Sequence, residues 1–340
     1  MAIERPKVVP KKEIGERVVS GMRPTGDLHL GHYFGAIKNW LELQERYDCF
    51  FFVADWHALT SEFKDPSKIR SYGVSNVIDW LSVGIDPKRS VIFVQSHIKE
   101  HAELTLLLSM ITPLGWLERN PTYKEQLQQL SGQKEISNLG FLGYPVLQAA
   151  DVLIYQGNWV PVGEDQVPHL ELCREIARRF NHLYGKIFVE PQAVLTEFSK
   201  LPGTDGRKMS NSYGNAIFLS DPEEVISKKI MTMMTDPARQ RRQDPGNPDL
   251  CPLFDLHEVF TEETAKVELD EGCRTAKIGC VDCKKALLER LLPWYKETAL
   301  RRKEVVSKPN DVKKILEAGG ERARVEAEKT MTKVREVLNL

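Results

Sequence analysis

The stretch "RVVSGMRPTGDLHLGH" (residues 17–32) sets out the fold of this chain. Its first six residues, 17–22, have the apolar and β-branched character of a short buried strand. A Pro/Gly loop follows, and residues 33–47 then have the period of a helix. A strand, a glycine-containing turn and a helix in this order are typical of the first unit of a parallel α/β sheet.

Two later apolar runs extend the pattern. The runs "CFFFVADWHAL" (49–59) and "SVIFVQS" (90–96) have strand character, and a helical stretch around 67–83 separates them. Strands that are apolar throughout and alternate with helices predict a Rossmann-like parallel sheet with helices on both faces. In such a sheet the functional site is expected at the carboxyl ends of the strands.

The character of the chain changes after residue 218, where every convincing pattern is helical. We therefore predict three regions: an N-terminal extension (1–16), a Rossmann-like catalytic domain (17–218) and a mostly α-helical C-terminal domain (219–340).

Composition limits the classes of protein to consider. The chain has 340 residues, of which 41% are hydrophobic and 28% charged, with a net charge of −1. No signal peptide or membrane-spanning run is recognisable, so we expect a cytoplasmic protein without a membrane partner. Because the global charge is near zero, any nucleic acid must be bound by local basic patches.

The turn "TGDLHLGH" (25–32) is the first candidate site. Gly31 leaves room for a flat base to approach the backbone, and His29 and His32 can donate hydrogen bonds to phosphate oxygens. The alternatives are an ordinary surface loop or, less favoured, a metal-binding histidine pair.

The segment "GRKMSNSYGN" (206–215) is the second. A mobile loop that carries Lys208, Ser210 and Ser212 can close on a phosphate and stabilise developing charge. The alternative is a solvated linker between two domains.

A polar face on an apolar helix is the third. In "GYPVLQAADVLIY" (143–155), Tyr144, Gln148 and Asp151 fall at i, i+4 and i+7, on one side of a helix. Buried polar groups need partners, and a bound amino acid would supply them. The alternative is a half-polar face that arose by chance.

Together these motifs resemble those of class I aminoacyl-tRNA synthetases. "HLGH" is similar to their HIGH signature and "KMSNS" to their KMSKS loop. The segment "VPVGEDQVPHLELCREIARRFN" (160–181) resembles the tryptophanyl-tRNA synthetases in particular, as do "ADWHALT" (54–60) and "TYKE" (122–125). The resemblance implies activation of L-tryptophan with ATP and Mg²⁺, transfer to tRNA(Trp), and a homodimer.

The resemblance also implies roles for individual residues. Lys208, Ser210, His29 and His32 match the catalytic positions of the two signatures. The ATP-contacting positions match Arg23, Pro24, Thr25, Gly31, His32, Gly163, Glu164, Asp165, Leu201, Lys208, Met209, Ser210, Asn211 and Ser212. The tryptophan-contacting positions match Tyr144, Gln148, Asp151, Asp165 and Gln166. Asp151 would accept the indole N–H, because indole is a donor only.

One position departs from the family pattern. The second lysine of KMSKS is Asn211 in this chain. It is therefore open which cation accompanies the leaving pyrophosphate, and we expect Lys208 to do so, supported by Arg207.

Four of the six cysteines form a cluster. Cys251, Cys273, Cys280 and Cys283 have the spacing C-x21-C-x6-C-x2-C. Four thiolates suit either a structural zinc ion or a [4Fe–4S] cluster. Only Cys280 and Cys283 form a close pair in the sequence, which favours the wider iron–sulfur cluster over zinc. The pattern also resembles that of a subgroup of the tryptophanyl enzymes that carries a [4Fe–4S] cluster. Four unrelated thiols are the remaining alternative.

Other functions stay open from the sequence alone. A tyrosyl-tRNA synthetase would use the same chemistry on another amino acid. A synthetase-like tryptophan-binding regulatory paralogue would keep the site without efficient charging. A nucleotidyltransferase unrelated to tRNA is less favoured, because it gives the helical region no role.

Overall fold

The structure is a computed structural model of the chain, and it describes residues 15–120, 138–195 and 201–340. The first fourteen residues of the predicted extension and the "TYKE" segment lie outside these ranges. The chain divides into two compact units. The first comprises Met1–Thr25, Asn39–Thr196 and Lys308–Leu340, and the second comprises Gly26–Lys38 and Glu197–Ser307.

The first unit is built on a parallel sheet of five strands. The strands are β1 (Arg17–Met22), β2 (Asp48–Val53), β3 (Ser90–Val94), β4 (Trp159–Val162) and β5 (Gln192–Leu195). Their order in the sheet is β3-β2-β1-β4-β5, and all pairs are parallel. The strand order reverses between β1 and β4, and ligands bind at such a switch point in open α/β sheets. The predicted fold class is confirmed.

The second predicted strand was too long. Residues 49–59 were expected to form one strand, but β2 ends at Val53 and a helix begins at Asp55. The Asp55 carboxylate accepts the backbone N–H groups of Trp56 and Ser96, each at 3.0 Å, at the start of this helix. A short apolar run does not distinguish a buried strand from a buried helix start.

Helices surround this sheet. In chain order they are α2 (Lys38–Leu43), α3 (Asp55–Glu62), α4 (Ile69–Val83), α5 (Glu100–Ile111), α6 (Leu114–Glu118), α7 (Leu139–Leu153), α8 (Val167–Tyr184) and the C-terminal α13 (Pro309–Leu338). The core combines the apolar strands with side chains from α5, α7, α8 and α13. Asn138 caps α7, because its side-chain oxygen accepts the N–H of Phe141 at 2.9 Å.

The second unit is helical over its described residues. Its helices are α1 (Leu30–His32), which continues as a π-helical turn (Tyr33–Ile37), α9 (Glu223–Thr232), α10 (Pro252–Phe260), α11 (Glu263–Arg274) and α12 (Cys280–Val306). No strand occurs between residues 201 and 307, as the sequence predicted for the part after 218.

The boundaries of the two units differ from those of the predicted regions. Residues 26–38, expected in the catalytic domain, group with the second unit, and residues 308–340, expected in the helical domain, group with the first. Helix α13 lies against β3, and its Gly319 touches the backbone of Ile92. Helical periodicity reveals an apolar face but not the surface that covers it.

Within residues 15–120, 138–195 and 201–340, no helix is both long enough and apolar enough to cross a bilayer.

Candidate functional site

The two histidines of the HLGH turn stack on each other in the second unit. Their ring centroids are 3.7 Å apart, and the backbone N–H of His29 donates to Nδ1 of His32 at 3.2 Å. Because Nδ1 of His32 accepts, the proton of the neutral ring lies on Nε2, which is left to donate. A Cβ on Gly31 would lie 2.9 Å from the His29 ring, so any other residue here would displace that ring.

Both histidines are neutral near pH 7. Burial lowers the pKa of His29 to about 4, and the charge of Lys208 adds to this effect. Burial also lowers the pKa of His32 to about 3, with contributions from His29 and Lys208. These side chains can therefore donate hydrogen bonds to a phosphate but supply no positive charge.

Asn215 organises the KMSNS loop from inside. Its side chain is buried, accepts the Ser210 N–H at 2.9 Å, and donates to Asp205 at 2.7 Å and to the Lys208 carbonyl at 3.2 Å. The Ser210 and Ser212 hydroxyls are 2.9 Å apart. Sequence reasoning missed Asn215. Its only signal is a polar residue directly before the apolar run 216–219.

The two cations of the loop differ in their surroundings. Lys208 is exposed, and within the described residues its ammonium group has no hydrogen-bond or ion-pair partner. Arg207 forms an ion pair with Asp205 at 2.6 Å, and its guanidinium lies 4.5 Å from the Tyr213 ring centroid. The Arg207 guanidinium, which we expected to support Lys208, therefore already contacts other residues of the loop.

The second unit brings both signatures together. The Leu30 N–H donates to Ile217 O at 3.0 Å and the Leu219 N–H to Leu28 O at 2.9 Å. Met209 is buried, and its N–H donates to Leu201 O at 2.9 Å. One set of backbone hydrogen bonds therefore holds the candidate phosphate-binding groups of both motifs.

In the first unit, two candidate segments follow neighbouring strands. Arg23, Pro24 and Thr25 come directly after β1, and Gly163–Gln166 come directly after β4. Since β1 and β4 are paired in parallel, both segments leave the sheet at its carboxyl edge. This is the edge at which the sequence predicted a site.

Asp151 is the centre of a buried polar network in the first unit. Its side chain is almost wholly inaccessible, and its two oxygens accept hydrogen bonds from Gln95 at 2.8 and 2.9 Å, His57 at 2.8 Å and His101 at 2.6 Å. The second ring nitrogen of His101 bonds the Tyr155 hydroxyl at 2.7 Å. Burial raises the pKa of Asp151, but the hydrogen bonds from the two histidines outweigh it and lower the pKa to about 2.

Tyr144 and Gln148 lie on the same helix as Asp151. The Tyr144 hydroxyl is 3.1 Å from Nε2 of His169, and burial raises the pKa of Tyr144 to about 12. The Gln148 amide makes no hydrogen bond to any described residue.

Sequence reasoning missed the partners of Asp151. His57 lies in α3, which follows β2, and Gln95 directly follows β3. Polar residues just after buried strands were the signal that could have identified them, because the carboxyl ends of parallel strands meet at one edge.

The four clustered cysteines line one pocket in the second unit. Cys251 precedes α10, Cys273 lies in the last turn of α11, and Cys280 and Cys283 lie in the first turn of α12. The other residues that line this pocket are Thr235, Asp236, Arg239, Leu253, Phe254 and Ile278.

An arginine and a histidine lie beside two of the four thiols. Arg239 Nη1 lies 3.7 Å from Cys273 Sγ, and His257 Nε2 lies 3.3 Å from Cys283 Sγ. Burial, and then the three neighbouring thiols, raise the pKa of Cys283 to about 12. As the side chains stand, no group of three or more His, Cys, Asp or Glu residues in the described ranges is arranged to hold a metal ion.

Cys49 and Cys173 are buried in the first unit and do not line this pocket.

Comparison with known proteins places these features in one family. The family model of the class I tRNA synthetases (W and Y) matches residues 11–295. The tryptophan–tRNA ligase of Thermotoga maritima is 54% identical, with 95% of this chain and 99% of that protein covered. The tryptophan–tRNA ligase of Aquifex aeolicus is 47% identical, with 95% and 100% covered.

Solved structures agree with this similarity. A Campylobacter jejuni tryptophanyl-tRNA synthetase crystallised with ADP and tryptophan has a TM-score of 0.84 at 37% identity, with 95% of this chain and 100% of that chain covered. The parallel sheet, the paired HLGH and KMSNS signatures and the matched length agree with one another, and the chain belongs to the class I tRNA synthetases of the tryptophanyl and tyrosyl group.

Proposed function

We propose that the protein activates L-tryptophan with Mg-ATP and transfers the tryptophanyl group to tRNA(Trp). Asp151 carries this proposal: it is a buried, ionised acceptor on a helix with two further polar side chains. An indole N–H can only donate, so it requires such an acceptor. Phenylalanine has no N–H to donate and would gain no such hydrogen bond, and sites that hydrogen-bond a substrate N–H discriminate strongly.

The chemistry needs no nucleophile from the protein. The carboxylate of tryptophan attacks the α-phosphorus of ATP, a P–O bond forms, and pyrophosphate leaves with the electrons of the broken P–O bond. Lys208 supplies positive charge to the departing phosphates, while His29, His32 and Ser210 donate hydrogen bonds. Catalysis on this view is positioning and electrostatic stabilisation. Mg²⁺ accompanies ATP as its counter-ion.

We assign substrate contacts to each unit separately. The first unit contributes the tryptophan contacts Tyr144, Gln148, Asp151, Asp165 and Gln166, together with the ATP contacts Arg23, Pro24, Thr25, Gly163, Glu164 and Asp165. The second unit contributes the ATP contacts Gly31, His32, Leu201, Lys208, Met209, Ser210, Asn211 and Ser212.

Charging of bulk tRNA with labelled tryptophan tests the function. Tryptophan-dependent ATP–pyrophosphate exchange is expected, with tyrosine supporting far less. Exchange with tyrosine alone would identify a tyrosyl enzyme instead. Exchange without charging would identify a synthetase-like paralogue.

We propose that Cys251, Cys273, Cys280 and Cys283 hold a [4Fe–4S] cluster. Four thiols around one pocket, with a guanidinium beside one sulfur, suit a cluster that carries negative charge. When bound, the cluster would link the ends of α11 and α12 to Cys251 and so brace this helical region. The residues after 218 then serve as the tRNA-reading part of the chain, with Arg274, Lys284 and Lys285 near the cluster.

Anaerobic purification tests the cluster. A brown protein with about four irons and four sulfides per chain is expected from the cluster stoichiometry. A colourless protein with one zinc would replace this assignment by a structural zinc site, and a metal-free protein would reject both. Because the ligands must stay reduced, the cytoplasm is the compartment that we propose.

We propose a homodimer formed through α5 and α6. One face of these helices is buried, but Leu106, Met110 and Leu114 on the other are 59%, 71% and 57% exposed. Two large exposed apolar side chains one turn apart on α5, followed by a third at the start of α6, suit a second copy of the chain. Light scattering at micromolar concentration should give twice the chain mass, and Met110→Glu should give the single mass. A monomeric wild-type protein would contradict the proposal.

A further inference from the structure

Asn211 occupies the position where the family signature has its second lysine, and its side chain bonds the other signature. Its Nδ2 donates to the backbone carbonyl of Asp27 at 3.2 Å. Asp27 lies in the turn that precedes His29, 184 residues earlier in the chain. The bond therefore joins the KMSNS loop to the HLGH turn within the second unit.

The turn is shaped to admit this amide. A Cβ on Gly26 would lie 2.2 Å from Asn211 Nδ2, far inside contact distance. Glycine at 26 thus leaves the space that the Asn211 side chain fills. The long lysine of the usual signature would not fit this space in the same way.

The neighbouring bonds of the loop do a different task. Those of Asn215 lie inside the loop and set its own shape. The Asn211 bond instead ties the loop to the turn that carries the stacked histidines. Lys208 lies three residues before Asn211, and its neighbour Met209 lies against the HLGH turn, since a Cβ on Gly31 would be 3.6 Å from the Met209 Cβ.

We propose that Asn211 is a positioning residue, a neutral latch that holds Lys208 beside His29 and His32. The inference rests on the function proposed for Lys208. This chain lacks the second lysine, and Arg207 is paired with Asp205. Lys208 is therefore left to neutralise the negative charge of the leaving phosphates. The latch keeps Lys208 in place. Asn211 therefore affects the reaction through Lys208 and does not act on the phosphates itself.

Three variants test the latch. Asn211→Ala removes the amide, and Gly26→Ala displaces it from the opposite side. Each should lower kcat/KM for ATP in pyrophosphate exchange by about three- to tenfold, the value of one net hydrogen bond. The double variant should be no worse than either single one, because both remove the same contact. Tyr213→Phe, a change on an exposed neighbouring residue, should leave activity unchanged.

A second cycle separates positioning from direct contact. In a Lys208→Ala background, Asn211→Ala should cause no further loss. A further loss of the full size would show that Asn211 binds the phosphates itself, and the latch would be rejected. If Lys208→Ala is fully active, the role of Lys208 fails instead. If Lys208→Ala is impaired but Asn211→Ala is not, only the latch fails.

Limited proteolysis provides a readout without turnover. Trypsin cleaves after Arg207 and Lys208, both in the loop. Cleavage there should be faster in Asn211→Ala and Gly26→Ala than in the wild type or Tyr213→Phe. Circular dichroism would check that the variants are folded. Equal cleavage rates in folded variants would overturn the inference.

Discussion

Asp151 places a negative charge in the interior of the first unit. Such a charge is tolerated only when it is well hydrogen-bonded, and donors from Gln95, His57 and His101 surround both of its oxygens. Because Asp151 is ionised, the His101 nitrogen that faces it must carry a proton. The other ring nitrogen of His101 is hydrogen-bonded to the Tyr155 hydroxyl. The network therefore fixes the orientation of the acceptor before a ligand arrives.

Asp151→Ala should raise the KM for tryptophan and cost about 2–3 kcal/mol in kcat/KM, because an indole N–H would be left unpaired. Pyrophosphate exchange at varied tryptophan concentration measures both quantities. Asp65→Asn, a change at an exposed acid of the same unit, is the control. An unchanged KM would mean that the indole N–H points elsewhere.

Lys208→Ala should reduce the exchange rate by about 10²–10³, the usual loss when one charged donor to a transition state is removed. Arg207→Ala is the matched control and should cost less than tenfold, because that guanidinium is paired with Asp205 and stacked on Tyr213. Equal losses in the two variants would show that both cations act on the phosphates.

At the scale of elements, close packing of α13 on β3 gives the C-terminal helix its place in the first unit. Two consecutive glycines of α13 have different surroundings at this contact. A Cβ on Gly319 would lie 1.8 Å from the carbonyl oxygen of Ile92, whereas one on Gly320 would meet no atom within 4 Å. Gly319 thus permits the helix backbone to touch the strand, whereas the contact does not require a glycine at position 320.

Gly319→Ala should destabilise the protein by about 1–3 kcal/mol, because overpacking outweighs the helical preference of alanine. Gly320→Ala should stabilise it by up to about 1 kcal/mol, since the same preference acts there without a clash. Urea denaturation of the two variants gives the free energies of unfolding. A shift of both variants in the same direction would contradict the packing argument.

At the scale of the whole molecule, four histidines link stability to pH. The pKa values of His29, His169 and His257 are lowered to about 4 and that of His32 to about 3, in each case chiefly by burial. In the unfolded chain the same groups titrate near 6.5. Below that pH the unfolded state binds more protons than the folded state, so stability falls as the pH drops from about 6.5 toward 4.

Urea denaturation at pH 7.5 and pH 5.0 should therefore give a lower free energy of unfolding at pH 5.0. His169→Gln should narrow the difference between the two pH values, whatever it does to the absolute stability. The Asp151 carboxylate does not contribute in this window, because its pKa of about 2 and its unfolded value both lie below it. A difference of the same size in wild type and variant would rule out His169 as a contributor.

The sequence by itself determined the parallel fold class, the helix that carries Tyr144, Gln148 and Asp151, and the family. These features are local: a buried strand, a helical period and two short signatures each lie within one continuous segment. The end of β2 was placed too late, because an apolar run contains no sign that a helix will begin at Asp55.

Only the tertiary structure decided which distant residues meet. His57 reaches Asp151 across 94 positions, and Asn211 reaches Asp27 across 184. The C-terminal helix packs on β3, although its sequence looks like that of the helices before it. The sequence pattern of a helix or strand indicates that one of its faces needs a packing or hydrogen-bonding partner. Which segment becomes that partner depends on shape and hydrogen bonding once the sheet has brought separate segments together.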